Sequence, residues 1–230
     1  MPSQPKISIV MPVINEAKAL RDTLGSIHLT SDEELIVVDG GSTDETVRIA
    51  REFTENVFVT QTGRASVMNY GAEKAEGEIL LFLHADCILP EQGLKMIRET
   101  LTKKGTVAGG FYLSIDQQGP GFRLIEYMAN VRARLTSLVY GDQGMFLRKD
   151  IFDRVGGFKD MQLMEDIEIS RSLNRLGRIA FVKPPIKTSA RRWIKEGAVY
   201  TTLRDWAISF SYSFMGISPD KLIKFYKNIR

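Results

Sequence analysis

Ile7-Ser8-Ile9-Val10-Met11-Pro12-Val13-Ile14-Asn15-Glu16 is the stretch that decides the fold. Its first seven residues are apolar except for Ser8, and two polar residues then end the run. A strand without polar alternation is buried on both faces, as when helices cover both sides of a parallel sheet. The chain beyond it agrees. Ala17, Leu20, Leu24 and Ile27 share one helical face, and Leu35-Ile36-Val37-Val38 is a second apolar run, closed by Asp39-Gly40-Gly41-Ser42. The pattern predicts a helix over Glu45 to Phe53, a strand over Val57 to Val59, a helix over Ala65 to Ala75, a strand over Ile79 to Leu83 and a helix over Glu91 to Lys103. Strand and helix in alternation, with short Gly/Asp-rich connections, mean parallel pairing through right-handed crossovers and an α/β layered fold.

From Thr106 the rhythm changes. Val107 to Ile115 reads as extended, and Leu124, Tyr127, Met128, Val131, Leu135 and Leu138 form a helical stripe. Gly144 to Leu147 is a strand, Glu165 to Leu176 a helix, and Ile179 to Val182 a last strand cut by Pro184-Pro185. Val199, Leu203, Trp206, Ala207, Phe210 and Phe214 again lie at helical spacing, and Pro219 to Tyr226 suggests a short helix. There is no internal repeat, low-complexity linker or second core, so 1–230 reads as one domain with a mixed C-terminal half.

Length and composition limit the function. At 230 residues, 43% hydrophobic and 26% charged, the chain is globular and not disordered. The single cysteine, Cys87, excludes an internal disulfide, and with two histidines it excludes a Cys/His zinc site. The uncharged stretch Trp206 to Pro219 is too short to span a membrane, which takes roughly 20 apolar residues. The N-terminus lacks a signal-peptide pattern, and a cytoplasmic location is expected. The net charge of +3 is uneven, because ten Lys or Arg face three acidic residues from Lys183 onward. That asymmetry points to an anionic partner near the C-terminal end, or to a solvated basic tail.

In an open α/β sheet, ligands bind beyond the carboxyl ends of the strands. Those positions hold Asn15 and Glu16, then Asp39, then His84-Ala85-Asp86. Carboxylates there can accept from a base or ribose, or hold a hard cation. Each alone could equally stabilise its own turn. Neither G-x-G-x-x-G after the first strand nor G-x-x-x-x-G-K-[ST] is present, which disfavours a dinucleotide-binding oxidoreductase and a P-loop NTPase. A phosphohydrolase with Asp39 as nucleophile lacks the second aspartate two residues on, where Gly41 stands.

Taken together, the motifs resemble those of family 2 glycosyltransferases of the GT-A fold. Ser8 to Glu16 is similar to the family's opening strand, and Val38-Asp39-Gly40-Gly41-Ser42-Thr43-Asp44 to its D-[GD]-[GS]-S-x-D motif. Gly63-Arg64 through Asn69 and Ala75 to Leu83 resemble the approach to its metal motif. Gly141-Asp142-Gln143-Gly144, and Gly156-Gly157-Phe158 followed by Glu165-Asp166, resemble its acceptor-side segments. The nearest subgroup is the short bacterial type associated with radical-SAM/selenodomain gene neighbourhoods.

The resemblance implies a mainly parallel central sheet flanked by helices. The donor half would cover about 5–110, the acceptor and catalytic half 111–190, and a basic amphipathic extension 191–230. It implies an inverting transfer of one sugar from a nucleotide-diphosphate sugar to an unidentified acceptor hydroxyl, with no nucleic acid involved. Pro12, Val13, Asn15, Glu16, Asp39, Arg64, Asn69 and His84 would bind the donor. Asp86, with His84, would hold Mn²⁺ or Mg²⁺, and Asp166 would be the general base with Glu165 beside it. Gly141, Asp142, Gln143, Arg191, Arg192 and Trp193 would serve the acceptor or the leaving diphosphate.

Two positions depart from the family pattern. His84 stands where the metal motif has its first aspartate, as a Mn²⁺ ligand or as a hydrogen-bond partner of phosphate or ribose. It also leaves open a non-catalytic nucleotide-sugar-binding protein. Ser189-Ala190-Arg191-Arg192-Trp193 replaces the Q-x-x-R-W of processive synthases, which argues against polymer synthesis. The stripe of Trp206, Phe210 and Phe214 among Lys221, Lys224, Lys227 and Arg230 is expected to pack as core against the sheet. The alternative is peripheral attachment to an anionic membrane, which would suit a lipid-linked acceptor.

Overall fold

The computed structural model describes residues 4–61 and 63–226. The sequence-expected alternation is present as β1 (Ile7–Val13), α1 (Ala17–Gly25), β2 (Glu33–Asp39), α2 (Thr46–Ala50), β3 (Val57–Val59), α3 (Arg64–Lys74), β4 (Ile79–Phe82), β5 (Cys87–Ile88) and α4 (Gly93–Leu101). It continues as β6 (Thr106–Ile115), α5 (Pro120–Thr136), a 3-10 turn (Gly141–Gln143), β7 (Met145–Arg148), α6 (Lys149–Val155), α7 (Glu165–Asn174), β8 (Arg178–Thr188), α8 (Arg191–Glu196), α9 (Ala198–Met215), α10 (Pro219–Leu222) and a final 3-10 turn (Ile223–Phe225). The strands form one sheet in the order β3-β2-β1-β4-β7-β6-β8-β5. β3, β2, β1 and β4 run parallel, β7 is antiparallel to both its neighbours, and β6 and β8 are parallel again.

β1 shows why both faces had to be apolar. Ile7, Ile9, Met11 and Val13 pack with Leu20 and Leu24 of α1 and Ile97 and Leu101 of α4. Val10 faces the other layer, with Val67, Met68 and Ala72 of α3 and Ile169 and Leu173 of α7. α3 sits so close that a side chain at Gly71 would run into Val10 and come within 3.1 Å of Val38. Under the C-terminal helices Leu163, Ile208 and Leu222 form a separate small cluster, with Met164, Tyr212 and Ile217 packed against it.

Two expectations are corrected here. The last strand is not cut by Pro184-Pro185. It runs on to Thr188, with the prolines in the register irregularity between the Phe111–Val182 and Leu113–Ile186 pairs, where no ladder N–H is required of them. The C-terminal stripe does not pack as core, because Phe210 and Phe214 are 56% and 76% exposed. Thr201, Ile208 and Ser209 face the protein instead. Lys227 and Arg230 lie outside the described residues.

Candidate active site

Val13 pairs with Asp39 at the carboxyl ends of β1 and β2, and the β4 exit to His84 lies on the other side of β1. The loop after β2 is tied to the loop after β1 by its own polar side chains. Asp39, 1% exposed, accepts from Gly41 N and Ser42 N, both at 2.8 Å, and also contacts the Ser42 hydroxyl. Asn15 N donates to Ser42 Oγ at 2.8 Å, and Thr43 N donates to Asn15 Oδ1 at 2.9 Å. Glu16 N reaches Thr46 Oγ1 at 2.8 Å, and Ala17 N reaches Asp44 Oδ2 at 3.2 Å. These bonds give the D-G-G-S-T-D run a physical reason for its composition. Asn15 has a left-handed backbone (φ 52°), a conformation that Asn adopts more readily than most residues. Pro12 is half-buried beside the buried Val13.

The opposite wall brings distant elements together at Gly141. Its N–H donates to Asp166 Oδ2 at 2.9 Å, across 25 residues. A Cβ on Gly141 would lie 2.5 and 2.6 Å from His84 ring atoms and would strike Arg64 Nη2. Arg64, at the start of α3, pairs through Nε with Glu165 Oε1 at 3.1 Å, and its Nη2 contacts His84 Nε2. An arginine can only donate, so that imidazole nitrogen is the acceptor. Asp166 lies in the first turn of α7 and also accepts from Ile167 N at 2.8 Å. Burial and the neighbouring Glu165 push its carboxyl up to about 6, against the opposing pull of Arg64 and the two N–H bonds.

On the third side, Arg191 bridges Glu16 and Asp86, at 2.6 Å and 3.3 Å. Its neighbours do otherwise. Arg192 pairs with Asp205 and donates to the Tyr226 hydroxyl at 2.7 Å, while Trp193 Nε1 donates to Thr202 at 3.2 Å. Both anchor α9, and only Arg191 reaches the strand-end carboxylates. Asn69 also differs from expectation, because its amide bonds both the N–H and the carbonyl of Phe158 and so clamps the Gly156-Gly157-Phe158 loop. Gln143 is fully buried, its Oε1 accepting from Arg132 at 3.1 Å and Tyr140 N at 3.0 Å. Burial raises the Asp142 carboxyl above its usual range.

His84, Asp86 and Cys87 place ligand atoms within 4.8 Å of one another, the arrangement a metal ion would use. Cys87 is an unsuitable member, since burial drives its thiol well above the ordinary value and keeps it protonated. Asp86 is suitable, because a cation already stands against it in the form of Arg191. A carboxylate and an imidazole are a donor set suited to Mn²⁺, and the His84 ring could join Asp86 once its lone-pair nitrogen is released from Arg64. Sequence reasoning missed Tyr226, buried enough to raise its hydroxyl and close enough to feel the charges of Arg192, Arg64 and Asp166. No local motif marks a residue that reaches the site from 34 positions beyond its partner Arg192.

Comparison with known proteins agrees with this geometry. The family described as Glycosyl transferase family 2 matches residues 8–159. Glycosyltransferase AglE of Haloferax volcanii is 29% identical over 170 residues, which is 67% of this chain and 56% of that protein. A PGL/p-HBAD biosynthesis glycosyltransferase of Mycobacterium bovis is 43% identical over 96 residues, 38% of each chain. The chain therefore spans about half or less of these relatives' lengths. Among solved structures, the mannosyltransferase PcManGT from Pyrobaculum calidifontis, in complex with GDP-Man and Mn²⁺, superposes with a TM-score of 0.69 at 18% identity. That match covers 95% of this chain and 67% of the other. S. aureus TarS in complex with UDP-GlcNAc gives 0.64 at 17% identity, covering 96% and 70%. Both share the GT-A fold with this chain.

Proposed function

The chain belongs to glycosyl transferase family 2, and on that premise we propose that it moves one sugar from a nucleotide-diphosphate sugar to an acceptor hydroxyl with inversion. The observation that carries the reading is the Asp166 carboxylate, held on Gly141 N–H in the cleft and pushed up to about 6. A base with that affinity is ionised at neutral pH yet still takes a proton from an attacking hydroxyl. Asp166 accepts the proton as the acceptor oxygen attacks the anomeric carbon. The bond to the diphosphate breaks, and its electron pair leaves with the nucleotide. Inversion needs no enzyme nucleophile. Asp39 fits that role badly, its oxygens being engaged by Gly41 and Ser42. Glu165 holds Arg64 against His84 and so sets the wall beside Asp166.

Mn²⁺ or Mg²⁺, when bound, supplies charge neutralisation for the leaving diphosphate. Asp86 would hold it with His84 alongside, and Arg191 is placed to follow the charge that develops there. The neighbours support this reading, since one is bound to GDP-Man and Mn²⁺ and the other to UDP-GlcNAc. The first-strand end, Pro12 to Glu16, would receive the base and ribose. Placement in the radical-SAM-associated subgroup rests on the quoted motifs.

The second reading, a nucleotide-sugar binder without turnover, is favoured by His84 at the metal-motif position. Calorimetry with UDP- and GDP-sugars, with and without Mn²⁺, followed by an assay for released nucleotide, separates the two. Metal-dependent binding with turnover, and loss of that binding in Asp86→Ala, is expected. Tight binding with no release under any acceptor would establish the binder.

A further inference from the structure

α9 is amphipathic in the reverse of the usual sense. Val199, Leu203, Trp206, Phe210 and Phe214 recur every three or four residues and lie exposed along its length. Its two charged residues turn inward. Arg204, with a side chain 7% exposed, pairs with Glu196 and Asp205, and Asp205 also takes Arg192. The outer face therefore carries no ionic group. α5, which touches α9, adds exposed Leu124, Tyr127, Met128 and Leu135, while its one carboxylate, Glu126, is buried and accepts from Ile115 N. Single exposed apolar residues are ordinary, but the whole outer face of one helix joined by part of a second is a contiguous patch of the kind that marks interaction sites.

The charge around it selects the partner. The exposed ionic residues described on α5, α8, α9, α10 and the last turn are Arg134, Lys195, Lys221 and Lys224, with Arg123 paired to Glu126 at 2.7 Å, against Asp220 alone. A two-fold contact with a second copy would bring this cationic set against itself. An anionic surface is complemented by it. No helix among the described residues is long and apolar enough to cross a membrane. We propose that the α5–α9 face lies on the surface of an anionic lipid bilayer, with its aromatic side chains in the interface and the Lys and Arg residues on headgroups. Aromatic rings favour that depth, and basic residues add attraction that decays within about 8 Å at physiological salt.

The surface adjoins the cleft. Tyr140 contacts Ser209 of α9 through its hydroxyl, and the next residue, Gly141, donates to Asp166. Docking would therefore present the catalytic cleft to a lipid-borne hydroxyl. That corollary rests on the transferase reading, whereas the docking itself does not.

Co-sedimentation with phosphatidylglycerol or phosphatidylcholine vesicles tests it, with Trp206 emission as a second readout. The wild type is expected to sediment with phosphatidylglycerol vesicles at low salt and to be released at high salt. Its emission should shift to the blue and be quenched by brominated acyl chains, and Trp206→Phe should abolish that change. Phe210→Ser/Phe214→Ser, both at exposed positions, should lower partitioning on the order of 100-fold while nucleotide-sugar affinity stays the same. Lys221→Glu/Lys224→Glu should lower it about 10-fold or more and flatten the salt dependence. Wild type remaining in the supernatant at low salt would overturn the proposal. So would a solution mass of two chains that Phe210→Ser/Phe214→Ser reduces to one, since a second copy would then cover the face.

Discussion

Asp39 stands at the end of β2 and Asp166 in the first turn of α7. Asp39 accepts from two backbone N–H groups of its own loop and contacts the Ser42 hydroxyl as well. Asp166 accepts one N–H from its neighbour and one from the distant Gly141, and it lies against a second carboxylate. The first arrangement fixes the loop whose Ser42 and Thr43 in turn bond Asn15. The second leaves a carboxylate whose ionised form the surroundings disfavour, which is the condition for proton uptake. On the proposed reading, the difference separates a residue that shapes its own loop from one that takes up the acceptor's proton.

Substitutions at the two positions should fail in different ways. Asp166→Asn is expected to lower turnover by ~10²–10⁴-fold with donor affinity kept, as read by nucleotide release and calorimetry. Its melting temperature should change little, because Asn keeps one accepting oxygen for the two N–H groups and the lost bond is offset by removing a charge that folding disfavours above the raised value. Asp39→Ala should do the reverse in kind. Leaving Gly41 and Ser42 N–H groups without an acceptor costs about 1–3 kcal/mol, measurable by denaturant unfolding. Gly141→Ala sharpens the contrast from the Asp166 side. Its Cβ would displace Arg64 and His84, with an overpacking cost of about 1–3 kcal/mol and a fall in turnover that Asp39→Ala does not match at equal stability loss. If Asp39→Ala abolished turnover while unfolding like the wild type, the division of labour would be wrong.

Much of the fold was legible in the sequence because β1, β2 and β4 are apolar on both faces and α1 shows its stripe openly. Leu20 and Leu24, at i and i+4, are 0% and 2% exposed, as their spacing predicts. The same period in α9 predicts core and gives the opposite result, because periodicity reports that a helix has an apolar face and not what covers it. The N-terminal helices have a sheet to lie on, while α9 packs against the protein through Thr201, Ile208 and Ser209. At the site, local motifs pointed to the loops after β1, β2 and β4, whose strands are neighbours in the sheet. Roles were harder to read. Asn69 lies among the donor-side motif residues and clamps a loop, and adjacent Arg191 and Arg192 turn to different partners. Contacts that span the chain, such as Gly141 to Asp166 or Tyr226 to Arg192, leave no spacing to detect.

The pH dependence of turnover, measured on the wild type and on Glu165→Gln, tests the central claim most directly. A base whose carboxyl is raised to about 6 is inactive when protonated, so the rate should rise as pH passes through about 6 and level off above it. Glu165→Gln removes the neighbouring charge and frees Arg64 to act on Asp166, so its rise should move to lower pH. A wild-type rate flat from pH 5 to pH 8, or a rise that Glu165→Gln leaves in place, would contradict Asp166 as the base.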